Sequence, residues 1–252
     1  MTLSALARLV VPVSCPGCGL EDVRWCDRCL APLRAELSPR HDVARMDRLD
    51  GRPVPVWAVA DYAGPVRDVV VAWKDRARAD LSDPLTRSLR RAVALAAGDL
   101  APPDRPLVVV PVPSSRASTR ARGWSPVGDL ADAVAVGLRR AGVPAATSDL
   151  LHVAGRSTDQ VGLGLRARAT NRATSTRVRA HAARRLPTGQ ECLLVDDVVT
   201  TGATLATCVD ALREHGLRPH AAIALVATPA PGFHAIPSSP RSVEVSRHDP
   251  AG

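Results

Sequence analysis

Apolar positions along the chain recur with two periods, and the alternation between them sets out the fold. Around Val56 to Tyr62 a strand-sized apolar stretch ends at a Gly64-Pro65 turn. Val66, Val69, Val70 and Trp73 follow at helical spacing, which predicts an amphipathic helix with one buried side. From Asp83 the periods alternate regularly. "DPLTRSLRRAVALAA" reads as a helix with Asp83 as its cap and Pro84 in first position. "LVVVPVP" reads as a short buried strand, and "SPVGDLADAVAVGLRRAG" as a helix ended by Gly142. "ECLLVDD" is a strand, "GATLATCVDALREHG" a helix ended by Gly216, and "HAAIALVAT" a final strand. Strand and helix in this order predict βαβ units, and hence an α/β fold with a mainly parallel sheet flanked by helices.

Three stretches lie outside that rhythm. Residues 31 to 52 are charged and rich in Pro and Arg, and read as a linker or a fraying helix. Residues 153 to 188 hold Arg, Thr, Gln and Asn with little apolar content, too long for an inert connector, so they predict an active-site loop or a partly disordered segment. Past Thr228 the Pro-rich tail predicts a flexible end. The organisation expected is a small module and linker over 1–52, a main domain over 53–228 and a tail over 229–252.

At 252 residues, 46% of them apolar, the chain can fill a core of ordinary size. No run approaches the ~18 apolar residues of a membrane span. The start "MTLSALARLVVPVSC" is a poor export signal, being short and interrupted by Pro12, so a cytoplasmic location is expected. The net charge of +8 comes from 32 Arg and a single Lys, Lys74. Such a balance suits phosphorylated ligands or nucleic acid, or reflects compositional drift alone.

Four of the six cysteines stand in "CPGCGLEDVRWCDRC", as pairs Cys15/Cys18 and Cys26/Cys29. In a reducing compartment paired C-x-x-C knuckles predict a metal site over disulfides, and four thiolates complete a tetrahedral Zn²⁺ site with no open position. The metal would then be a structural staple. Arg24 and Arg28 beside Trp25 also permit contact with DNA, and packing is the plainer reading of that Trp. Cys192 and Cys208 read as buried thiols.

The stretch "LLVDDVVTTGATL" poses a chemical question, because adjacent carboxylates cost free energy unless a cation, hydroxyl donors or water take up the field. In a parallel sheet, ligands bind beyond the carboxyl ends of strands. Asp196 and Asp197 fall at such an end and offer acceptors for sugar hydroxyls. The loop Val198, Val199, Thr200, Thr201, Gly202, Ala203 and Thr204 can then turn backbone N–H groups and the positive end of a helix toward a phosphate. Without a ligand, Thr200 or Thr201 would cap the helix and the acids would be solvated. No G-x-x-x-x-G-K-[ST] and no G-x-G-x-x-G after a strand is present, which argues against an ATPase and a dinucleotide site.

"CLLVDDVVTTGAT" resembles the phosphoribosyl-pyrophosphate signature of type I phosphoribosyltransferases. Together with "YAGPVRDVVVAWKD", "VVPVPSSRASTRARGWSPVGDLA", "RSTDQVGLGLRARATNRATSTRV" and the paired cysteines, the chain resembles the ComF family over about residues 10 to 228. The resemblance implies a type I phosphoribosyltransferase fold behind an N-terminal zinc ribbon. It implies that Asp196 and Asp197 face the ribose 2- and 3-hydroxyls near Mg²⁺, and that Thr200 to Thr204 hold the 5-phosphate. Ser114, Ser115 and Arg116, in the loop Pro113 to Arg116 after the strand "LVVVPVP", would grip pyrophosphate. Residues 155 to 172, with Gln160, Arg166, Asn171 and Arg172, would close over the site. The implied chemistry is displacement of pyrophosphate by a nitrogenous base through an oxocarbenium-like transition state.

One departure stands out. Where ComF proteins commonly carry R-G-F-N-Q, this chain has "RGWSP" at Arg122 to Pro126. Two readings follow: an enzyme or enzyme-like protein that binds phosphoribosyl pyrophosphate with Mg²⁺, or a non-catalytic accessory of DNA uptake that binds single-stranded DNA or a helicase-type competence partner. The sequence leaves the acceptor base and the oligomeric state open.

Overall fold

The computed structural model describes residues 13–41, 43, 46, 53–100, 105–114, 123–154 and 176–229. After a short helix α1 (Asp27–Leu30) and a 3₁₀ turn (Ala31–Arg34), the chain forms β1 (Ser38–Pro39), β2 (Val56–Asp61) and α2 (Gly64–Asp75). A 3₁₀ turn (Ala79–Leu81) leads into α3 (Ser82–Leu95), followed by α4 (Ala97–Leu100), β3 (Leu107–Pro111), α5 (Pro126–Arg140) and β4 (Ala145–Thr147). A separate antiparallel pair, β5 (Leu151–Val153) and β6 (Thr176–Val178), precedes α6 (Ala180–Ala183). The chain then makes β7 (Glu191–Val199), α7 (Ala203–Glu214) and β8 (Arg218–Ala227). Among the described residues no helix is long and apolar enough to cross a membrane.

The main sheet runs β1-β2-β8-β7-β3-β4, parallel throughout except for β1, which pairs antiparallel with β2. The expected α/β fold, a mostly parallel sheet flanked by helices, is thus the observed one. From β3 the chain winds outward through α5 to β4, and from β7 it winds the other way through α7 to β8. The winding reverses between β3 and β7, which is where a parallel sheet leaves a crevice for a ligand.

Alternation along the strands divides the core in two. Val109, Leu193, Val195, Ile223 and Leu225 face α2, α3 and α5 on one side. Val108, Val110, Leu194, Ala222 and Ala224 face α7 on the other. Gly137 lets α5 press against α3, because a Cβ there would stand 2.7 Å from the Arg90 carbonyl oxygen. Cys192 and Cys208 are fully buried, as expected, and burial pushes both thiols up to about 12.

Two local expectations need correction. Asp83 does not cap α3: the 3₁₀ turn before it runs straight into the helix, so Leu81 is the cap residue, without a side-chain bond, and Asp83 pairs with Arg87 one turn on at 2.6 Å. Residues 31 to 52 are more than a linker or a fraying helix. Those described supply a 3₁₀ turn and an edge strand, and Val43 and Met46 are buried in the α7 face of the core. The helix read from "SPVGDLADAVAVGLRRAG" starts where expected: the Ser125 hydroxyl accepts from the Gly128 N–H at 3.1 Å and Pro126 takes the first turn of α5.

Candidate phosphate-loop and acid-pair site

Asp196 and Asp197 occupy the last half of β7, Asp196 in register with Ala224 of β8 and so with Ala58 of β2, two to three residues before the carboxyl ends of those strands. Because side chains alternate along a strand, the two carboxylates leave opposite faces of the sheet. Asp196 lies on the α7 face, close enough to Cys208 for its charge to add to the burial that raises that thiol. Asp197 lies on the α2 face and is 2% exposed. Both nevertheless turn toward the strand's carboxyl end. Asp196 Oδ1 accepts from the Asp197 N–H, and Asp197 Oδ1 from the Val198 N–H, each at 2.8 Å.

The field of the pair is met from inside the chain. Lys74 Nζ, in the last turn of α2, donates to Asp197 Oδ1 at 2.8 Å and lies 2.7 Å from Oδ2. The ammonium thus engages both oxygens of a carboxylate that is otherwise closed off from water. Asp196 is treated differently: burial, and then the charge of Asp197, push its carboxyl up to about 8. The folded chain therefore keeps a proton on Asp196 that the unfolded chain releases above about pH 4. Stability from this group is full at low pH and is lost as pH rises through about 8. Between about pH 5 and about pH 9 the melting temperature should fall more steeply for the wild type than for Asp196→Asn. Parallel slopes would refute the raised carboxyl.

Beyond the acids, Val199 closes the strand and Thr200 and Thr201 are exposed. Gly202 is the cap residue of α7, at φ +74°, and no side chain bonds the helix's first N–H groups. Capping by Thr200 or Thr201 is therefore not what the loop does. The amino end of α7, from Ala203 and Thr204 onward, is free of a side-chain cap and turned outward at the carboxyl end of β7, an arrangement suited to an anion. Gly202 is required twice over. Its backbone is left-handed, and a Cβ would stand 2.3 Å from Val43 Cγ1. Gly202→Ala should destabilise the fold by about 3 kcal/mol from strain and overpacking together, and a thermal melt checks this.

On the other side of the crevice, Val112 donates its N–H to the Val195 carbonyl at 2.8 Å, so the loop after β3 starts one strand spacing from the acids. Ser114 lies there and lines a cleft of about 450 Å³ with Ser125, Asp132, His152 and Arg179. Neither acid contributes to that cleft. Ser115 and Arg116, residues 155 to 172 and residues 230 to 252 lie outside the described residues.

The four front cysteines converge. Cys15 and Cys18 lie on a tight turn in which the Gly19 N–H donates to the Cys15 carbonyl at 2.8 Å, and Cys26 is the cap residue of α1, which carries Cys29. All four sulfurs lie within 4.8 Å of one another. Cys26 Sγ is 3.7 Å from both Cys15 Sγ and Cys18 Sγ. That is the edge of a tetrahedron with Zn–S bonds of ~2.3 Å, for which geometry requires about 3.8 Å. Burial raises the Cys15 thiol, but N–H groups of Gly17, Cys26 and Cys18 more than offset it and bring it down to about 7. Burial and the neighbouring thiols push Cys29 up. Thiols this close can all ionise only around a cation, so the set fits a metal such as zinc.

Sequence reasoning passed over Lys74 as a site residue, although the one lysine among 32 arginines was visible. Residue types alone do not show a pairing 123 positions apart.

No curated protein matches the chain. Among solved structures, similarity extends to a phosphoribosylpyrophosphate synthetase from Mycobacterium smegmatis (25% identity over 54% of this chain and 33% of that one, TM-score 0.30). It extends also to an orotate phosphoribosyltransferase from Aeropyrum pernix (19%, 57% and 60%, TM-score 0.32). An adenine phosphoribosyltransferase from Thermoanaerobacter pseudethanolicus is matched at 14% identity over 79% of this chain and 99% of that one, TM-score 0.33. The chain thus spans a third of the synthetase and three fifths of the orotate enzyme, and overlaps this loose carry no argument. The family model described as phosphoribosyl transferase domain matches residues 123–235, which hold β7, the acid pair and the loop to α7, and in this part the protein is phosphoribosyltransferase-like.

Proposed function

We propose that the protein binds phosphoribosyl pyrophosphate with Mg²⁺ and transfers the phosphoribosyl group to a nitrogenous base. The observation that carries the reading is the uncapped amino end of α7 placed directly after an acid pair at the carboxyl end of β7. One ligand bearing a phosphate and, a few ångströms away, vicinal hydroxyls uses both. The N–H groups from Thr200 to Thr204 bind the 5-phosphate. Asp196 and Asp197 accept from the ribose hydroxyls and orient the sugar. As the bond to pyrophosphate breaks, the Asp197 carboxylate stabilises positive charge developing at the anomeric carbon. Ser114, with Ser115 and Arg116, supplies donors to the departing pyrophosphate. Asp196 and Asp197 are also the residues that would hold Mg²⁺ together with the ligand, with the Lys74 ammonium, which pairs with Asp197, displaced. Bound there, Mg²⁺ would neutralise charge on the leaving group.

The order of segments, with a cysteine cluster ahead of the phosphoribosyltransferase-like part, supports the ComF-like reading, with the metal as Zn²⁺. No observation among the described residues adds to the DNA-handling alternative. The deciding experiment is calorimetric titration of phosphoribosyl pyrophosphate with Mg²⁺ into folded, zinc-replete protein. Saturable binding supports the reading, and no heat of binding under those conditions ends it.

A further inference from the structure

We infer that Lys74 is a positioning residue that keeps bare divalent cations out of the acid pair, so that a cation enters only together with the phosphoribosyl ligand. The inference rests on the function proposed above and adds a rule for the order of loading. Lys74 Nζ sits within 2.8 Å of both carboxylate oxygens of Asp197, whose side chain is 2% exposed. A unit positive charge at that distance in a poorly solvated setting cancels much of the attraction that the Asp197 carboxylate would otherwise offer a divalent ion.

Lys74 is also fixed from behind. Its neighbour Trp73 is fully buried, donates its Nε1–H to Ser82 Oγ at 2.9 Å and packs on Trp124 with ring centroids 5.7 Å apart. Val66, Val69 and Val70 bury the same side of α2. The helix cannot turn the ammonium away without breaking that packing, so release must come from the side chain.

The residue type supports release. The chain carries 32 arginines and one lysine, and the lysine stands at this position. An arginine fork would clamp both oxygens of Asp197 with directed bonds. An ammonium on a flexible stem, one third exposed here, can swing into solvent when a better cation arrives with its own anions.

The test is titration of Mn²⁺, followed by the paramagnetic signal of free Mn²⁺, into zinc-replete protein without phosphoribosyl pyrophosphate. Lys74→Met should bind Mn²⁺ roughly tenfold or more tighter than the wild type, with the gain lost in Lys74→Met/Asp197→Asn, whereas Lys74→Arg should show no gain. Equal Mn²⁺ affinity for the wild type and Lys74→Met overturns the inference, as does a gain that survives Asp197→Asn. Should Lys74→Met fail to fold, acetylation of the folded wild type removes the charge at the chain's only lysine, and mass spectrometry confirms the site. The acetylated protein must then show the same gain, and its absence overturns the inference. These titrations contain no phosphoribosyl pyrophosphate, so they can fail while the wild type still binds that ligand, and the reverse.

Discussion

Asp197→Asn is expected to weaken binding of phosphoribosyl pyrophosphate with Mg²⁺ by roughly 100-fold, the effect of replacing a charged acceptor at a buried site by a neutral one. The variant should still fold. Asn keeps an oxygen for the Val198 N–H, and Lys74, one third exposed, can take its charge to water. The stability cost should stay near 1–3 kcal/mol, below that of an ion left unpaired in a closed interior. The calorimetric titration reads affinity and a thermal melt reads the fold. Unchanged affinity in a folded Asp197→Asn protein would remove the acid pair from the ligand site. If single-stranded DNA bound with an affinity indifferent to this substitution while phosphoribosyl pyrophosphate did not bind at all, the accessory reading would gain.

Removing the metal from the cysteine cluster should have the largest effect on stability. Cys15, Cys29, Leu30 and Leu33 belong to the same buried cluster as Val66, Val69 and Trp73 of α2. Gly17 fits between Cys29 and α2 so closely that a Cβ there would meet Cys29 Sγ at 2.8 Å and the Pro65 carbonyl oxygen at 3.1 Å. Two arginines tie the parts further, Arg78 donating to the Arg24 carbonyl at 3.0 Å and Arg91 to the Arg34 carbonyl at 2.7 Å. Loss of the metal therefore loosens the wall against which α2 packs, and not merely a loop. Chelation, or Cys29→Ser, should lower the melting temperature by at least about 10 °C, several kcal/mol for a chain of this size. Metal analysis of the purified protein should find one zinc per chain. A melt unmoved by chelation of a zinc-loaded sample would remove the structural role.

The α/β fold was legible because both periods are clean: Val108 to Val110 and Leu193 to Val195 form strand-sized apolar runs, and Leu130, Val134 and Leu138 repeat at helical spacing. The cysteine cluster was legible because C-x-x-C is a local geometric unit. The loop at Gly202 was legible for the same reason, being a run of consecutive residues between a strand and a helix. What was hidden is pairwise and distant. Val43 and Met46 are isolated apolar residues in a charged stretch, with no period to announce that they close the core over α7. Lys74 was hidden behind its own helix pattern, since nothing local says which residue its ammonium will meet.

The contact of Val43 with Gly202 also governs when this protein can finish folding. The cysteine turn closes over residues 15 to 29, a short loop that can form early wherever zinc is available. The seat for Val43 and Met46 comes into being only once β7 and the start of α7 have been made, more than 150 positions later in the chain. At the ~5–20 residues per second of synthesis, that is on the order of ten seconds or more during which Val43 and Met46 wait uncovered. Contacts closed across so long a stretch of chain slow folding, so the seat of Val43 and Met46 beside Gly202 is among the last parts of the core to be completed.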